Sequence, residues 1–451
     1  MPDELYNETY RPQFHFSPKK NWTNDPNGLV FYGGEYHLFF QHNPFGVNWG
    51  NMHWGHAVSK DLVHWKELPV ALAPDEHGTC FSGSAVVDRN NTAGFQTGAE
   101  KALIAIYTGA PVPEVERGPR FTQCIAYSTD RGRTWTKYDK NPVLPHLVGQ
   151  NRDPKVIWYD PGKKWIMALY EDGNDYALFS SLNLKEWTHL SDIHMPGCSE
   201  CPDFFELPVD DNPVNTRWVF VGGNGNYMLG RFDGTAFTPE TEALRSDWGA
   251  SFYATQTYSD IAKEDGRRIQ IAWMNGGKYP GMPFNQQMTF PCVLTLRTFP
   301  EGIRMCRMPV EEIALLRDQE HLWQDVSLQP GNDLLSGLSG ELFEIRAEFE
   351  SGNAAEFGIN VRGTSINYSA KENKLTCLER QADLQPVANR IRLCILVDRT
   401  SIEVFGNDGK VSMSSCFLPR AEDMNLAIDS SGGCAKIIKL EVYSLRSAWA
   451  Q

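Results

Sequence analysis

Ser59-Lys-Asp-Leu-Val-His-Trp65 recurs as Ser128-Thr-Asp-Arg-Gly-Arg-Thr-Trp135 and again as Ser181-Leu-Asn-Leu-Lys-Glu-Trp187. Each copy ends an apolar run, turns on Asp or Asn, and opens a new run at Trp. The Trp-to-Trp steps are 70 and 52 residues, about one propeller blade with insertions. Three similar hairpins arising by chance are the plain alternative. Short runs around the repeats read as strands: Tyr36–Phe40, Leu103–Tyr107, Trp165–Tyr170, Trp218–Val221 and Ile269–Trp273. Gly33-Gly34, Asp160-Pro-Gly162 and Asp233-Gly234 read as hairpin turns.

Beyond residue 308 the pattern changes. Pro309-Val-Glu-Glu-Ile-Ala-Leu-Leu-Arg-Asp-Gln319 has Pro and two acids at its start and Ile313 and Leu316 on one face, which predicts a short connecting helix. Alternation returns from about 322, as in Leu342–Phe349 and Ile402–Phe405, the latter running into the turn Gly406-Asn-Asp-Gly409. An antiparallel sandwich fits that spacing. The expected division is a propeller over 1–308, a linker helix over 309–321 and a β-sandwich over 322–451.

The 451 residues carry 56 acids against 42 bases, for a net charge of -14. Nucleic acids and anionic membranes need a basic face, so neither is an expected partner. No run of about 18 apolar residues offers a membrane span. Met1-Pro-Asp-Glu-Leu5 has neither the basic nor the apolar part of a signal peptide; a secreted chain with its leader removed and a cytoplasmic protein both fit. The ten cysteines follow no framework spacing and read as buried thiols; Cys198-Ser-Glu-Cys201 has no second pair to complete a zinc site. His37, His42, His53, His56 and His64 crowd one stretch, yet no metal-binding spacing links them. Neither a metal nor a cofactor is expected, and the chain is read as a monomer or homo-oligomer.

Three acids stand out by their surroundings. Asp25 lies in Asn21-Trp-Thr-Asn-Asp-Pro-Asn-Gly28, where Pro26 biases Asp25 toward extended backbone and Asn27-Gly28 favours a tight turn. An Asx-type turn is the plain reading. Asp153 lies in Asn151-Arg-Asp-Pro-Lys155 beside Arg152, a permanent bidentate donor; a surface ion pair is the plain reading. Glu200 lies in Gly197-Cys-Ser-Glu-Cys-Pro-Asp203 ahead of Phe204-Phe205. Enclosure there would raise its pKa and suit a general acid; a loop Glu facing water is the alternative. All three open strand blocks, and inner-strand starts of a propeller converge on one funnel. Two carboxylates flanking a cleft are the minimum for glycoside hydrolysis. Gln41, Trp49, Trp54 and Phe81-Ser82-Gly83-Ser84 add amides, aromatic faces and hydroxyls suited to a sugar.

Asn24-Asp-Pro-Asn-Gly28, Phe81-Ser-Gly-Ser84, Arg152-Asp-Pro154 and Glu200-Cys-Pro202 occur in the order seen in glycoside hydrolase family 32, the invertases, levanases and inulinases, which this sequence resembles over nearly its whole length. Asp61–Trp65 and Leu68–Leu72 resemble its levanases and exo-inulinases, and Leu396–Phe405 its C-terminal domain. The resemblance implies a five-bladed β-propeller followed by a β-sandwich. It implies Asp25 as nucleophile, Glu200 as acid/base and Asp153 as transition-state stabiliser. Asn24, Gln41, Trp49, Phe81, Ser82, Arg152 and Trp273 match positions around the fructose pocket. The implied activity is retaining hydrolysis of terminal β-D-fructofuranosyl units of levan, inulin or sucrose through a covalent fructosyl-enzyme, the carboxyl groups standing ~5–5.5 Å apart. A fructosyltransferase with the same acids and a non-catalytic carbohydrate-binding propeller are the alternatives. The sequence departs from the family at Thr23, where Met is usual, and at Gly277, where levanase-like relatives place a second Trp. Tyr279 or Met282-Pro-Phe284 is positioned to fill that gap, and Gly222–Asn226 reads as a turn.

Overall fold

Trp65, Trp135 and Trp187 each close the same turn. In every copy the indole N–H donates to the carbonyl three residues earlier, at 3.1 Å to Leu62, 3.1 Å to Gly132 and 3.2 Å to Leu184. The opening serine hydroxyl donates to the Asp or Asn two residues on, at 3.0, 2.7 and 3.2 Å. Leu62, Arg131 and Leu184 take left-handed backbone at the bend. The repeat is therefore one structural device used three times, between the third and fourth strands of successive blades.

The computed structural model describes residues 5–111 and 120–449, so residues 1–4, where the leader was sought, lie outside it. Five four-stranded blades surround an axis. Blade 1 runs Asn21–Tyr32, Glu35–Asn43, His53–Ser59, Trp65–Leu72. Blade 2 runs Thr79–Asp88, Ala102–Ala110, Thr122–Ser128, Thr136–Lys137. Blade 3 runs Arg152–Tyr159, Lys164–Asp172, Asp175–Ser181, Thr188–His194. Blade 4 runs Asp203–Val209, Asn212–Val221, Tyr227–Phe232, Phe237–Pro239, and blade 5 runs Tyr253–Thr257, Arg268–Trp273, Cys292–Phe299, Gly302–Pro309. The three expected glycine turns join first to second strands in blades 1 and 3 and third to fourth in blade 4. Phe284–Asn285 pairs in parallel with Asn21–Trp22, tying the last blade back to the first. Apolar clusters fill the spaces between blades, and each fully buried Leu or Phe there contributes about 1.5–3 kcal/mol.

One expected turn lies inside a strand. Asp25-Pro-Asn-Gly28 belongs to a single twelve-residue strand with register shifts between Thr23 and Pro26 and between Asn27 and Val30. Bulges re-aim side chains without ending a strand. Gly28 sits at φ +53, and a Cβ there would meet Phe39 at 2.7 Å and Trp54 at 2.9 Å. Phe81-Ser-Gly-Ser84 likewise lies within Thr79–Asp88, with a register shift between Cys80 and Gly83.

After the propeller, Pro309 ends a strand and Glu311–Leu316 forms one 3-10 segment; the next strand, Arg317–Leu328, starts at once. Ile313 and Leu316 are both buried, and a spacing of three is what a 3-10 turn places on one side. The sandwich packs a six-stranded sheet on a five-stranded one. Phe343, Ile345, Ala347 and Phe349 alternate into its core, as period-two patterning requires. Propeller and sandwich meet closely: Trp248 N–H donates to Ser412 O at 2.8 Å and Ser251 N–H to Ser414 O at 2.9 Å. At this junction His15 is enclosed between Asp398 (2.9 Å) and Glu403 (2.8 Å).

Candidate active site

The inner strand of each blade begins at one mouth of the axis. Each packs on the next around the ring, and the fifth packs on the first. Asp25 comes from blade 1, Ser82 from blade 2, Arg152 and Asp153 from blade 3, Glu200 from the loop entering blade 4, and Tyr253 from blade 5. They line one cavity of about 590 Å³. Asn24, Gln41, Trp49, Phe81 and Trp273 line it too. Trp54 and Ser84, expected to offer the sugar a ring face and a hydroxyl, do not: both are fully buried, Trp54 Nε1 donating to the Phe81 carbonyl and Ser84 Oγ to the Pro154 carbonyl, each at 2.9 Å.

Asp25 is held on both oxygens. Ser82 Oγ donates to Oδ2 at 2.5 Å and Asn24 Nδ2 to Oδ1 at 2.9 Å, while Trp22 Nε1 fixes Asn24 at 2.8 Å. Burial pushes the Asp25 carboxyl up and the charge of Glu200 adds to that; the Ser82 and Asn24 hydrogen bonds oppose it. Donors on a carboxylate favour its ionised form.

Asp153 is more enclosed, its side chain 7% exposed. Its carboxyl is pushed up to about 7 by burial, against the pull of Arg152, with the charges of Asp25 and Glu200 adding to the rise. Cys201 N–H donates to Oδ2 at 3.1 Å, and the Cys201 sulfur lies 3.5 Å from Asp153 and 3.7 Å from Asp25. Cys201 is therefore a packing neighbour of two site acids.

Glu200 is more open than Asp153, its side chain 31% exposed where it meets Arg152. The enclosure expected from its neighbours does not form, because Phe204 and Phe205 turn into the apolar layers on either side of blade 4. What holds Glu200 is polar: Arg152 Nη2 donates to one oxygen and the Tyr253 hydroxyl to the other. The turn Gly222–Asn226 supports it from behind, with Gly223 N–H donating to the Glu200 carbonyl at 3.0 Å. Asp153, Glu200 and Cys201 all take left-handed backbone, each at a cost of about 1–3 kcal/mol that surrounding packing must offset.

The cavity wall is aromatic. Trp49 is 54% exposed at the rim and lies edge-on to Phe81. Trp273 is fixed by Gln286 at 3.1 Å. Tyr279 does not reach the cavity: it is buried, packs on Phe284, and occupies the space a side chain at Gly277 would need, 2.5 Å from a Cβ there. The five crowded histidines are dispersed. His37 faces His56 at 3.0 Å, His42 and His53 bond backbone carbonyls, and His64 bonds Asp61. Sequence reading missed Tyr253. Nothing local marks it, since its partner lies 53 residues away.

Residues 15–309 match the model of the glycosyl hydrolases family 32 N-terminal domain, and 312–444 that of the family's C-terminal domain. The chain is 44% identical to a levanase of Bacillus subtilis, over 98% of this chain and 72% of that protein. It is 34% identical to an extracellular exo-inulinase of Aspergillus niger, over 98% and 96%. The crystal structure of the exo-inulinase of Aspergillus awamori superposes with a TM-score of 0.90 at 32% identity, covering 98% of this chain and all of that one.

Proposed function

The chain belongs to glycoside hydrolase family 32, and from that premise we propose that it hydrolyses terminal β-D-fructofuranosyl units of fructans and sucrose with retention of configuration. One observation carries the reading. Three carboxylates from three blades share a cavity in which Asp25 is braced by two donors and Glu200 is more open than Asp153.

Asp25 attacks the anomeric carbon as Glu200 protonates the departing oxygen. The C–O bond to the leaving sugar breaks and a fructosyl–Asp25 ester forms. Glu200, now ionised, takes a proton from water, which attacks the ester and frees fructose and Asp25. The Ser82 and Asn24 donors favour the ionised nucleophile. Asp153, with its carboxyl near about 7, can accept from or donate to fructosyl hydroxyls. Arg152 and Tyr253 fix the direction of Glu200. Trp49, Phe81 and Trp273 offer ring faces, and Gln41 an amide, to the sugar. Residues 1–308 are read as the catalytic unit, joined through the 3-10 segment Glu311–Leu316, in place of the expected linker helix over 309–321, to a sandwich whose first strand opens at Arg317 and not at 322.

The test is incubation with sucrose, inulin and levan, with products resolved by chromatography. Free fructose as the sole new small product is expected from the fructans. Longer oligosaccharides would mean transfer to sugar acceptors, and no fructose from any substrate would overturn the reading.

A further inference from the structure

We propose that the mouth of the propeller opposite the reaction cavity is a second carbohydrate site, which takes a segment of neutral fructan chain. The inference rests on the fructan reading above and goes beyond it. The inner strands run from one mouth to the other. Asn21–Tyr32 gives Asp25 to the first cavity and Phe31 and Tyr32 to a second, of about 720 Å³. Arg152–Tyr159 gives Asp153 to the first and Trp158 to the second. Five residues at ~3.3 Å of rise separate those two by roughly 16 Å, too far for one fructosyl unit to touch both.

The second cavity has the parts a sugar needs. Trp158 is half-buried and is backed edge-to-face by Trp165, with ring centroids 5.0 Å apart. Trp165 is 3% exposed and its indole N–H is tied to Thr92 at 2.9 Å, so the plane of Trp158 is fixed from behind. Trp158 Nε1 donates to Asp160 at 3.3 Å, placing a carboxylate at the ring edge. Across the cavity, Asp260 accepts the Val87 N–H at 2.8 Å and holds Arg89 Nε at 3.1 Å. Arg89 and Asp160 remain open to solvent, their side chains 57% and 75% exposed, and keep capacity for further hydrogen bonds. A fixed indole beside preset donors and acceptors fits the C–H face and hydroxyls of a saccharide. The charges are mixed, Arg89 and Lys263 against Asp160, Asp260 and Glu264. That balance disfavours a phosphate or polyanion, and the density of ionisable groups disfavours a lipid.

A polymer held at both mouths is bound more tightly than its end alone, whereas sucrose gains nothing. The test is native electrophoresis through gels containing levan, using D25A protein to prevent turnover. Retardation is expected with D25A, and its loss by about three-fold or more with D25A/W158A or D25A/D160A; Asp160 is exposed enough that its removal leaves the fold intact. In otherwise unaltered protein, W158A should lower kcat/KM for levan by about three-fold or more while leaving that for sucrose within about two-fold. Retardation unchanged by both substitutions, or equal retardation in dextran, would overturn the site. The two readings fail separately: gel retardation reports on the far mouth without turnover, and fructose release by the unaltered chain reports on the reaction.

Discussion

Two clusters in this molecule are built from the same parts and behave in opposite ways. In the reaction cavity, Arg152 pairs with Asp153 and Glu200, and burial pushes Asp25 and Asp153 up, Asp153 to about 7. At the propeller–sandwich junction, two carboxylates enclose His15, and both are held below their ordinary values even though burial works against them. Donors make the difference. The His15 ring, bonded to both, lowers them most, and backbone N–H groups add to it, those of Gln13 and Phe14 on Asp398 at 2.7 and 3.0 Å and that of Phe290 on Glu403 at 2.9 Å. The His15 ring, despite burial, is raised to about 9 by hydrogen bonds to Asp398 and Glu403. A satisfied cluster is a fastener. A cluster whose donors do not offset burial leaves its acids raised, as a site that moves protons requires.

Four experiments would break or sharpen that contrast. The largest effect is expected from E200Q, which should lower kcat/KM for sucrose by about 10²–10⁴-fold while leaving the melting temperature nearly unchanged. Azide should restore turnover of a fructoside with a good leaving group, because it needs no base to attack the ester. Near-normal activity would remove Glu200 from the mechanism. H15L should do the reverse, costing about 3–5 kcal/mol in denaturant unfolding because it strands two buried carboxylates, with kcat unchanged in the folded protein. A lost kcat with normal stability would contradict the fastener role.

The third experiment uses pH. His15 has a folded value of about 9 against an ordinary 6.5, so its contribution is fully present below 6.5 and fades as pH rises through about 9. Asp153 is raised from 3.8 to about 7, so its burial penalises folding increasingly as pH rises from 3.8 to 7. D153N should therefore raise stability at pH 8 by about 1–2 kcal/mol and have no such effect below pH 3.8, and H15L should flatten the decline between 6.5 and 9. Melting curves across pH distinguish these signs. The smallest effect is expected for S82A. Removing a donor from Asp25 pushes that carboxyl further up, so the acid limb of the pH–rate profile should move to higher pH by roughly one unit. A limb that moves to lower pH would mean that Ser82 does not favour the ionised form.

Much of the site was legible because it is local or motif-borne. Asp25, Asp153 and Glu200 sit in segments where Pro, Gly and Asn constrain the backbone, and each opens an inner strand or its entry loop. The Ser–Asx–Trp turn spans only seven or eight residues, so its repetition could be read directly. Local reading failed where contacts decide. The Asp-Pro-Asn-Gly segment has turn composition, yet pairing with Glu35–Asn43 draws it into a strand. Phe204 and Phe205 flank Glu200 in sequence, yet strand alternation sends both away from it. Tyr279 could be placed near Gly277 but not behind it.

By itself the sequence determined the all-β class, the blade repeat and the acids at inner-strand starts, because alternation, turn chemistry and proline act over a few residues. Only the tertiary structure decided what those acids experience. Asp25 meets Ser82 from 57 residues away, Glu200 meets Tyr253 from 53, and His15 meets Asp398 and Glu403 from 383 and 388. Burial and donor count are properties of assembled neighbours. They separate the carboxylates poised to react from those that hold the two halves of the molecule together.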